Sequence, residues 1–306
     1  MILLWPRRLI EFINRMMEEE TTPYDFLRTV RVRFVDLAFY VINRMGYSVF
    51  GEPSEFKVET VQIKLKRLPM SFSGLRIAQI SDIHMGGWIN PERLQQVADL
   101  VMAQNPDVLV ITGDFLKGRS FTEAAKQGIK DLTKVLRPLA AAIPTFAVLG
   151  NHDYRTNPRA IREMLSLCKI KDLTNDVYAF RREDETLCLC GVDDIRHGNV
   201  RLDDVLAKLD EYSPAILLVH EPDFADISAA TGKFDLQISG HSHGGQIVIP
   251  FYGPPRLPDS GRKYSSGLYK VGNMFQYTNR GVGTDRFAVR INCPPEITVF
   301  VLENKN

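Results

Sequence analysis

The stretch Leu75-Arg76-Ile77-Ala78-Gln79-Ile80-Ser81-Asp82-Ile83-His84-Met85-Gly86-Gly87 decides the reading of this chain. Its first six residues read as a buried strand. The closing glycines end regular structure and let backbone approach a ligand. Between them stand an aspartate and a histidine two residues apart. Just past a strand end, both side chains can turn toward one cation. A carboxylate is a hard oxygen ligand and an imidazole a borderline nitrogen ligand. An Asp-x-His pair is also what an ordinary polar loop contains. Its weight comes from four further pieces of the same kind, which follow in order.

Outward from this stretch, residues 91–104 predict a helix with Leu94, Val97, Ala98 and Val101 on one face and Asn90 as its cap. Residues 108–111 are a buried strand, and Gly113-Asp114 leaves its end. Residues 122–142 read as a helix bending near Pro138. The strand at 144–149 exits into Gly150-Asn151-His152-Asp153. Beyond Val177 the pattern tilts toward strands. Residues 215–219 deliver His220, and residues 234–239 deliver Gly240-His241-Ser242-His243-Gly244-Gly245. Further strands are expected at 246–249, near 274–278 and at 297–302. Apolar strands separated by helices argue for sheets covered on both faces. Ligands of such sheets gather beyond the carboxyl ends of the strands.

The six histidines sharpen this. His84, His152, His220, His241 and His243 each follow an expected strand, and four of them have Asp, Asn or another His within two residues. His197 reads as an ordinary core or surface histidine. Carboxylate, amide and imidazole donors without thiolate suit Mn²⁺, Fe²⁺ or Zn²⁺ and argue against Ca²⁺.

With 306 residues, 44% of them apolar, the chain has room for one domain of about 250 residues and an appendage. The net charge of +1 gives no global field directed at nucleic acid. Cys168, Cys188, Cys190 and Cys293 form no disulfide framework, which favours a reducing compartment. Cys188 and Cys190 share one side of a strand as small hydrophobes. No signal peptide is legible, and no run approaches the roughly 18 apolar residues of a spanning helix. The chain is therefore expected to be neither secreted nor transmembrane. Residues 1–54 read as an amphipathic helix pair ending at Gly51-Glu52-Pro53-Ser54, with Leu27, Val30, Phe34, Leu37, Val41 and Met45 on one stripe and Arg28, Arg31, Arg33 and Arg44 among them. Such a pair lies on a membrane surface, or else packs on the main domain or on a second copy. The main domain spans 55–306 and opens with a half-exposed strand at 56–67.

Asp82-x-His84, Gly113-Asp114, Gly150-Asn151-His152-Asp153, His220 and Gly240-His241-x-His243 resemble the five ordered blocks of the calcineurin-like metallophosphoesterases. The resemblance spans about residues 75–302. It implies an α/β fold, a four-layer α/β/β/α sandwich of two mixed sheets, here with the N-terminal amphipathic extension. It implies two divalent metal ions, with Mn²⁺ the expected one. Asp82, His84 and His243 are assigned to the first metal and Asn151, His220 and His241 to the second. Asp114 bridges them, offering two oxygens and a negative charge. Two such cations about 3.5–4 Å apart lower the pKa of a shared water and clamp phosphoryl oxygens during in-line attack. His152 is assigned the role of general acid at the leaving oxygen, its ring oriented by Asp153.

Substrate class is less determined. Lys117, Arg119, Arg155 and Arg159 are candidate phosphate contacts, since guanidinium forks match phosphate oxygens, although solvated loops contain such residues too. The stretch from Asn279 to Thr284 is glycine-rich and would close over the site or form a plain turn. Tyr252-Gly253-Pro254-Pro255 and Arg262-Lys263-Tyr264 flank the last block. Gly244-Gly245-Gln246, Gly267-Leu268-Tyr269 and Pro294-Pro295-Glu296-Ile297 are similar to a membrane-associated branch of the family. That branch includes general phosphodiesterases and a UDP-2,3-diacylglucosamine pyrophosphatase of lipid A biosynthesis. The expectation is a peripheral enzyme on the cytoplasmic side of the inner membrane. It would meet a lipid-linked sugar nucleotide at the membrane surface and release UMP and 2,3-diacylglucosamine 1-phosphate. The alternative is a phosphodiesterase or phosphatase of the same family acting on a soluble or cell-envelope substrate. A metal-poor binding scaffold would have lost ligands, and this chain keeps them all. The oligomeric state is not readable from sequence.

Overall fold

The structure, a computed structural model, describes residues 55–305 other than Pro250 and Arg286. The helix pair expected over residues 1–54, with its proposed lipid contact, lies outside the described residues. The strands in chain order are β1 (Lys57–Leu65), β2 (Arg76–Ile80), β3 (Val108–Thr112), β4 (Thr145–Val148), β5 (Lys171–Asp172), β6 (Asp176–Arg182), β7 (Glu185–Gly191), β8 (Ala215–Leu218), β9 (Leu236–Ser239), β10 (Gly267–Val271), β11 (Met274–Thr278) and β12 (Glu296–Asn304). They form two six-stranded sheets, ordered β1-β12-β2-β3-β4-β5 and β10-β11-β9-β8-β7-β6. Both are mixed. In the first, β2, β3, β4 and β5 run parallel while β12 is antiparallel to β2. In the second, β7, β8, β9 and β11 run parallel, with β6 and β10 antiparallel at the edges.

The period-two alternation of the strands builds the layers. Ile77, Val108 and Val110 of the first sheet meet Leu187, Leu189, Ile216 and Leu218 of the second in a core between the sheets. Ala78, Ile80, Leu109 and Ile111 point the other way, under the helices α1 (Pro91–Ala103), α2 (Glu123–Ala142) and α4 (Pro158–Leu167). The short helix α3 (Asn151–Thr156) precedes α4. On the far side Cys188, Cys190, Ala215 and Leu217 face Val205 of α5 (Leu202–Leu206) and Ala225 of α6 (Ala225–Ala230). The result is the four-layer α/β/β/α sandwich. The four cysteines are buried and free, and Cys188 and Cys190 do share a face.

The helix caps follow the expected chemistry. Asn90 Oδ1 accepts from the Arg93 amide at 2.9 Å, and α2 runs on through Pro138 to Ala142. One expectation fails. Residues 246–249 form no strand but only isolated bridges, Ile247 with Ile291 and Ile249 with Gly253. The preceding His243–Gly245 turn and the left-handed Gln246 (φ 60°) break the extended run. Among the described residues no helix is long and apolar enough to cross a membrane.

Candidate metal centre

The carboxyl ends of β2, β3, β4, β8 and β9 each hand one or more polar residues to a single region. The backbone there is unusual. Asp82, His84, Asp114, His241 and His243 all have positive φ, between 48° and 69°. Asp and His tolerate this region better than bulkier residues, but it is still sparsely populated and marks functional turns. Each reversal swings a side chain off the strand axis. Close approach demands glycine at two points. A Cβ on Gly150 would strike the Asp114 carboxylate, and one on Gly240 would strike Ser81 and Asp82.

Asp114 Oδ2 is the common point. It lies 3.6 Å from His84 Nε2 and 3.3 Å from His220 Nε2. On one side, Asp82 Oδ1 is 3.3 Å from His243 Nε2, and the His84 and His243 Nε2 atoms approach to 3.1 Å. On the other, the His220 and His241 rings meet edge to face with centroids 5.0 Å apart. The expectation that Asp114 would offer both oxygens needs correction. Its Oδ1 accepts the His152 amide at 2.7 Å, so Oδ2 alone faces both groups.

Local hydrogen bonds decide which atoms remain available. Asp82 Oδ2 accepts from the Ser81 hydroxyl at 2.6 Å and the His241 amide at 3.0 Å, leaving Oδ1 without a partner. His220 Nδ1 lies 2.6 Å from the Thr112 carbonyl. A carbonyl only accepts, so Nδ1 donates to it and Nε2 is the nitrogen turned to Asp114. Burial opposes a charge on this ring, but the Asp114 carboxylate prevails and raises it well above the usual imidazole range, so a cation bound at Nε2 would displace a proton there. By the same reasoning His241 Nε2 donates to the Asp259 carbonyl at 2.9 Å and frees Nδ1. Asn151 Oδ1 is buried and unpartnered as well. Orphaned buried polar atoms cost about 1–3 kcal/mol each. A cluster of them beside two imidazole nitrogens in near contact fits bound cations. Asp82, His84 and His243, likewise Asp82, Asp114 and His220, and also His84, Asp114 and His152, each place ligand atoms within 4.8 Å of one another.

Electrostatics point the same way. Burial holds His84 and His241 down, to about 4 and about 3, and holds His243 well below the usual imidazole range. These rings therefore stay neutral and keep the lone pair a metal needs. Burial raises the Asp82 carboxyl to about 6. Burial opposes ionisation of Asp114 too, but the His220 and His152 charges prevail and hold it well below the usual carboxylate range.

His152 and Asp153 separate. The His152 ring does not rest on Asp153. Its Nδ1 lies 3.1 Å from the Gly118 carbonyl and its Nε2 3.8 Å from Asp285 Oδ1. Asp153 instead accepts three backbone amides at 2.9 Å each: Asp114 and Gly150 on Oδ2, Phe115 on Oδ1. Adjacent residues of a helix point in different directions. Asp153 thus ties the end of β3 to the start of α3 and leaves orientation of the ring to Gly118.

The candidate phosphate contacts fare differently. Lys117 is half-buried, its stem against Gly87, with Asp285 acting on its charge. Arg119 is exposed, and Arg155 Nε lies 3.2 Å from His197 Nε2. Arg159 is committed to Glu163 at 2.9 Å on the exposed face of α4. The 279–284 stretch does not close over the site. The amides of Val282 and Gly283 donate to the carbonyls of Ser81 and Asp82, so the segment buttresses the Asp82 turn from behind. Two residues were not anticipated. Asp285 stands beside His152. Arg290 is buried, its guanidinium donating to the carbonyls of Gly283, Arg280, Gly281 and Cys293 and lying 3.4 Å from His243 Nδ1. An acidic residue after a glycine-rich stretch was the only cue to Asp285, and nothing local marked Arg290.

A polar cavity of about 520 Å³, lined in part by Arg162, Asp172, Asp176, Asp193 and Lys208, includes none of the clustered Asp and His residues. Its charges neutralise one another, as in Arg162–Asp172 at 3.1 Å and Lys208–Asp176 at 2.7 Å, so it is no anion site.

Comparison with known proteins agrees with this geometry. The sequence profile of the calcineurin-like phosphoesterases matches residues 75–245. The chain is 33% identical over 269 residues to the metallophosphoesterase YkuE of Bacillus subtilis, covering 85% of this chain and 90% of that one. It is 29% identical over 261 residues to the phosphodiesterase YaeI of Escherichia coli, covering 84% and 92%. A transmembrane protein with a metallophosphoesterase domain from Danio rerio is 28% identical over 307 residues, covering 95% of this chain and 66% of its own length. By profile and relatives alike, the chain belongs to the calcineurin-like phosphoesterase family, hydrolases that act on phosphoesters.

Proposed function

We propose that this protein is a dinuclear-metal phosphodiesterase, cleaving a diester or pyrophosphate diester by in-line attack of water. Asp82, His84 and His243 would hold one cation, and Asn151, His220 and His241 the other, with Asp114 Oδ2 between them. Bound there, the two cations supply Lewis acidity toward phosphoryl oxygens and an activated water. The carrying observation is the convergence of His84 and His220 on Asp114 Oδ2, at 3.6 and 3.3 Å. The similarity to the phosphodiesterase YaeI supports a diester substrate.

The chain's own groups handle the leaving side. The Gly118 carbonyl occupies His152 Nδ1, so Nε2, 3.8 Å from Asp285 Oδ1, is the nitrogen left to face the leaving oxygen. With the ring doubly protonated, His152 would give its Nε2 proton to the departing oxygen and keep the one on Nδ1. Lys117, Arg119 and Arg155 remain candidates for holding a second phosphate.

The finer reading is hydrolysis of UDP-2,3-diacylglucosamine to UMP and 2,3-diacylglucosamine 1-phosphate. It is supported by the extended motif around Gly244-Gly245-Gln246. Mn²⁺ is the cation this reading expects, and residues 1–54 would hold the enzyme on the inner face of the membrane. Hydrolysis of bis-p-nitrophenyl phosphate and of UDP-2,3-diacylglucosamine, each with Mn²⁺, Fe²⁺ or Zn²⁺ supplied in turn, tests both levels. Turnover of the artificial diester alone removes the lipid nucleotide. Turnover of neither removes the diesterase reading.

A further inference from the structure

Two segments pair beside the metal centre and carry apolar side chains into solvent. The first leaves the His243–Gly245 turn; the second follows Asp285. Val248 donates to the Ile291 carbonyl and Ile291 to that of Gln246, both at 2.9 Å. The Gln246 amide clasps the carbonyls of Phe287 and Val289 at 3.2 and 3.0 Å. Reciprocal bonds between Ile249 and Gly253, at 3.0 and 2.8 Å, close a tight turn at the tip. Phe251 on that turn is fully exposed, Tyr252 is 55% exposed, Ile249 44% and Phe287 40%. Phe251 also holds φ at 65°, a region bulky side chains rarely enter. Its ring gains no burial in return. Local strain combined with an exposed apolar cluster points to a surface covered by something outside the chain.

We propose that this paired platform docks on a lipid bilayer, with Phe251, Tyr252, Ile249 and Phe287 entering the interface and setting the metal centre at headgroup level. Two features select lipid over protein. The first is chemistry: apolar aromatic rings with a tyrosine beside them suit the boundary between acyl chains and headgroups. Charge is close to balance here, because Arg262 and Lys263 after the tip pair with Asp259 and Asp226 at 2.5 and 2.8 Å, so apolar insertion rather than headgroup attraction carries the docking. The second is size. Four side chains on a projecting turn fall well short of the roughly 20–30 residues a side of a stable protein interface. The link to the centre is short, since the Asp285 amide donates to Gln246 Oε1 at 2.6 Å while its carboxylate stands beside His152. The inference goes beyond the choice of diester, because docking places any membrane-borne phosphodiester at the centre.

The four native cysteines are buried, so Phe251→Cys in the full chain creates one accessible thiol for an environment-sensitive fluorophore. Tyr212→Cys, at an 82% exposed position before the amino end of β8, provides the control. The probe is vesicles of equal parts phosphatidylglycerol and phosphatidylethanolamine. The expected result is that emission from position 251 at least doubles and shifts to the blue, is quenched by doxyl-labelled lipid, and that position 212 stays unchanged. An unchanged signal at 251 overturns the proposal, whether the protein sediments with vesicles through other residues or not at all. A change that tracks protein concentration without vesicles overturns it in favour of a second copy. Bis-p-nitrophenyl phosphate hydrolysis by the wild-type protein in vesicle-free buffer reads the metal centre independently, so failure of docking and failure of the diesterase reading are told apart.

Discussion

The metal centre and the aromatic platform are neighbours that invert the usual distribution of polarity in opposite directions. The centre buries Asp82, His84, Asn151 and His220 with polar atoms unsatisfied. The platform holds Phe251 in water on a strained backbone. A folding chain normally avoids both, because buried polar atoms forfeit hydration and exposed rings forfeit burial. The interior between the sheets obeys the usual rule closely, with Ile77, Val110, Leu189 and Phe300 packed in alternation. Departures are therefore local. The contrast teaches that each departure is completed from outside the chain, by cations in one region and, as we infer, by lipid in the other.

Substitutions in the two regions should differ as sharply as their surroundings do. The largest effect is expected from Asp114→Asn, which removes the charge shared by both halves of the centre. Metal content should fall, and diester turnover should drop by at least about 10³-fold. Full metal occupancy with ordinary turnover would break the picture of Asp114 as the common point. For His152→Asn we expect turnover to fall by about 10²–10⁴ with metal content unchanged, because on the proposed reading the ring moves a proton, although it stands within ligand reach of His84 and Asp114. Parallel loss of metal would move His152 among the ligands.

Asp153→Ala separates fold from chemistry. It strips the acceptor from three buried amides, and denaturant unfolding should register a loss of about 3 kcal/mol or more. If stability held and turnover alone fell, the original pairing with His152 would be restored. Metal affinity should depend on pH in a defined window. The Asp82 carboxyl of the metal-free protein sits near 6, raised by burial. Above that value Asp82 is already ionised and adds no further pH dependence, leaving that of His220, whose charge burial opposes but the Asp114 carboxylate holds. Below it a proton must leave first, so affinity falls by about tenfold per pH unit. Calorimetric titrations between pH 5 and 8, a range spanning that value, would read the break. The smallest effect belongs to the platform. Phe251→Asn tolerates the same φ, and the ring contributes no burial. Unfolding free energy should change by no more than about 0.5 kcal/mol. A larger loss would mean that Phe251 packs within the fold after all.

Much of this was legible in the chain. Each block of the centre follows an apolar run, and period-two alternation specifies which face of each strand is buried. Asn90 capped its helix as its position suggested. The failures share a cause. The 246–249 run has the composition of a strand, but a left-handed Gln246 ended it, and φ at one residue is a tertiary outcome. The family resemblance assigned Asp153 to orient His152, yet helical geometry turned them apart. The Asn279–Thr284 stretch read equally as a lid or a plain turn and proved to be a brace, because Val282 and Gly283 found acceptors behind Asp82.

By itself the sequence determined apolar strands covered on both faces and the residue types of the centre, since hydrophobic periodicity and the donor chemistry of Asp, Asn and His are properties of the chain read locally; the four-layer sandwich came from the family resemblance. Only the folded structure decided that one oxygen of Asp114 faces both halves, that Gly118 and Asp285 hold His152, that Arg290 lies behind His243, and that Phe251 stands clear of the core. Those facts depend on backbone direction at a few left-handed residues and on contacts between segments up to some two hundred positions apart, such as Asp82 with Gly283. No local pattern encodes such distances, because they are fixed only when every strand has found its neighbours.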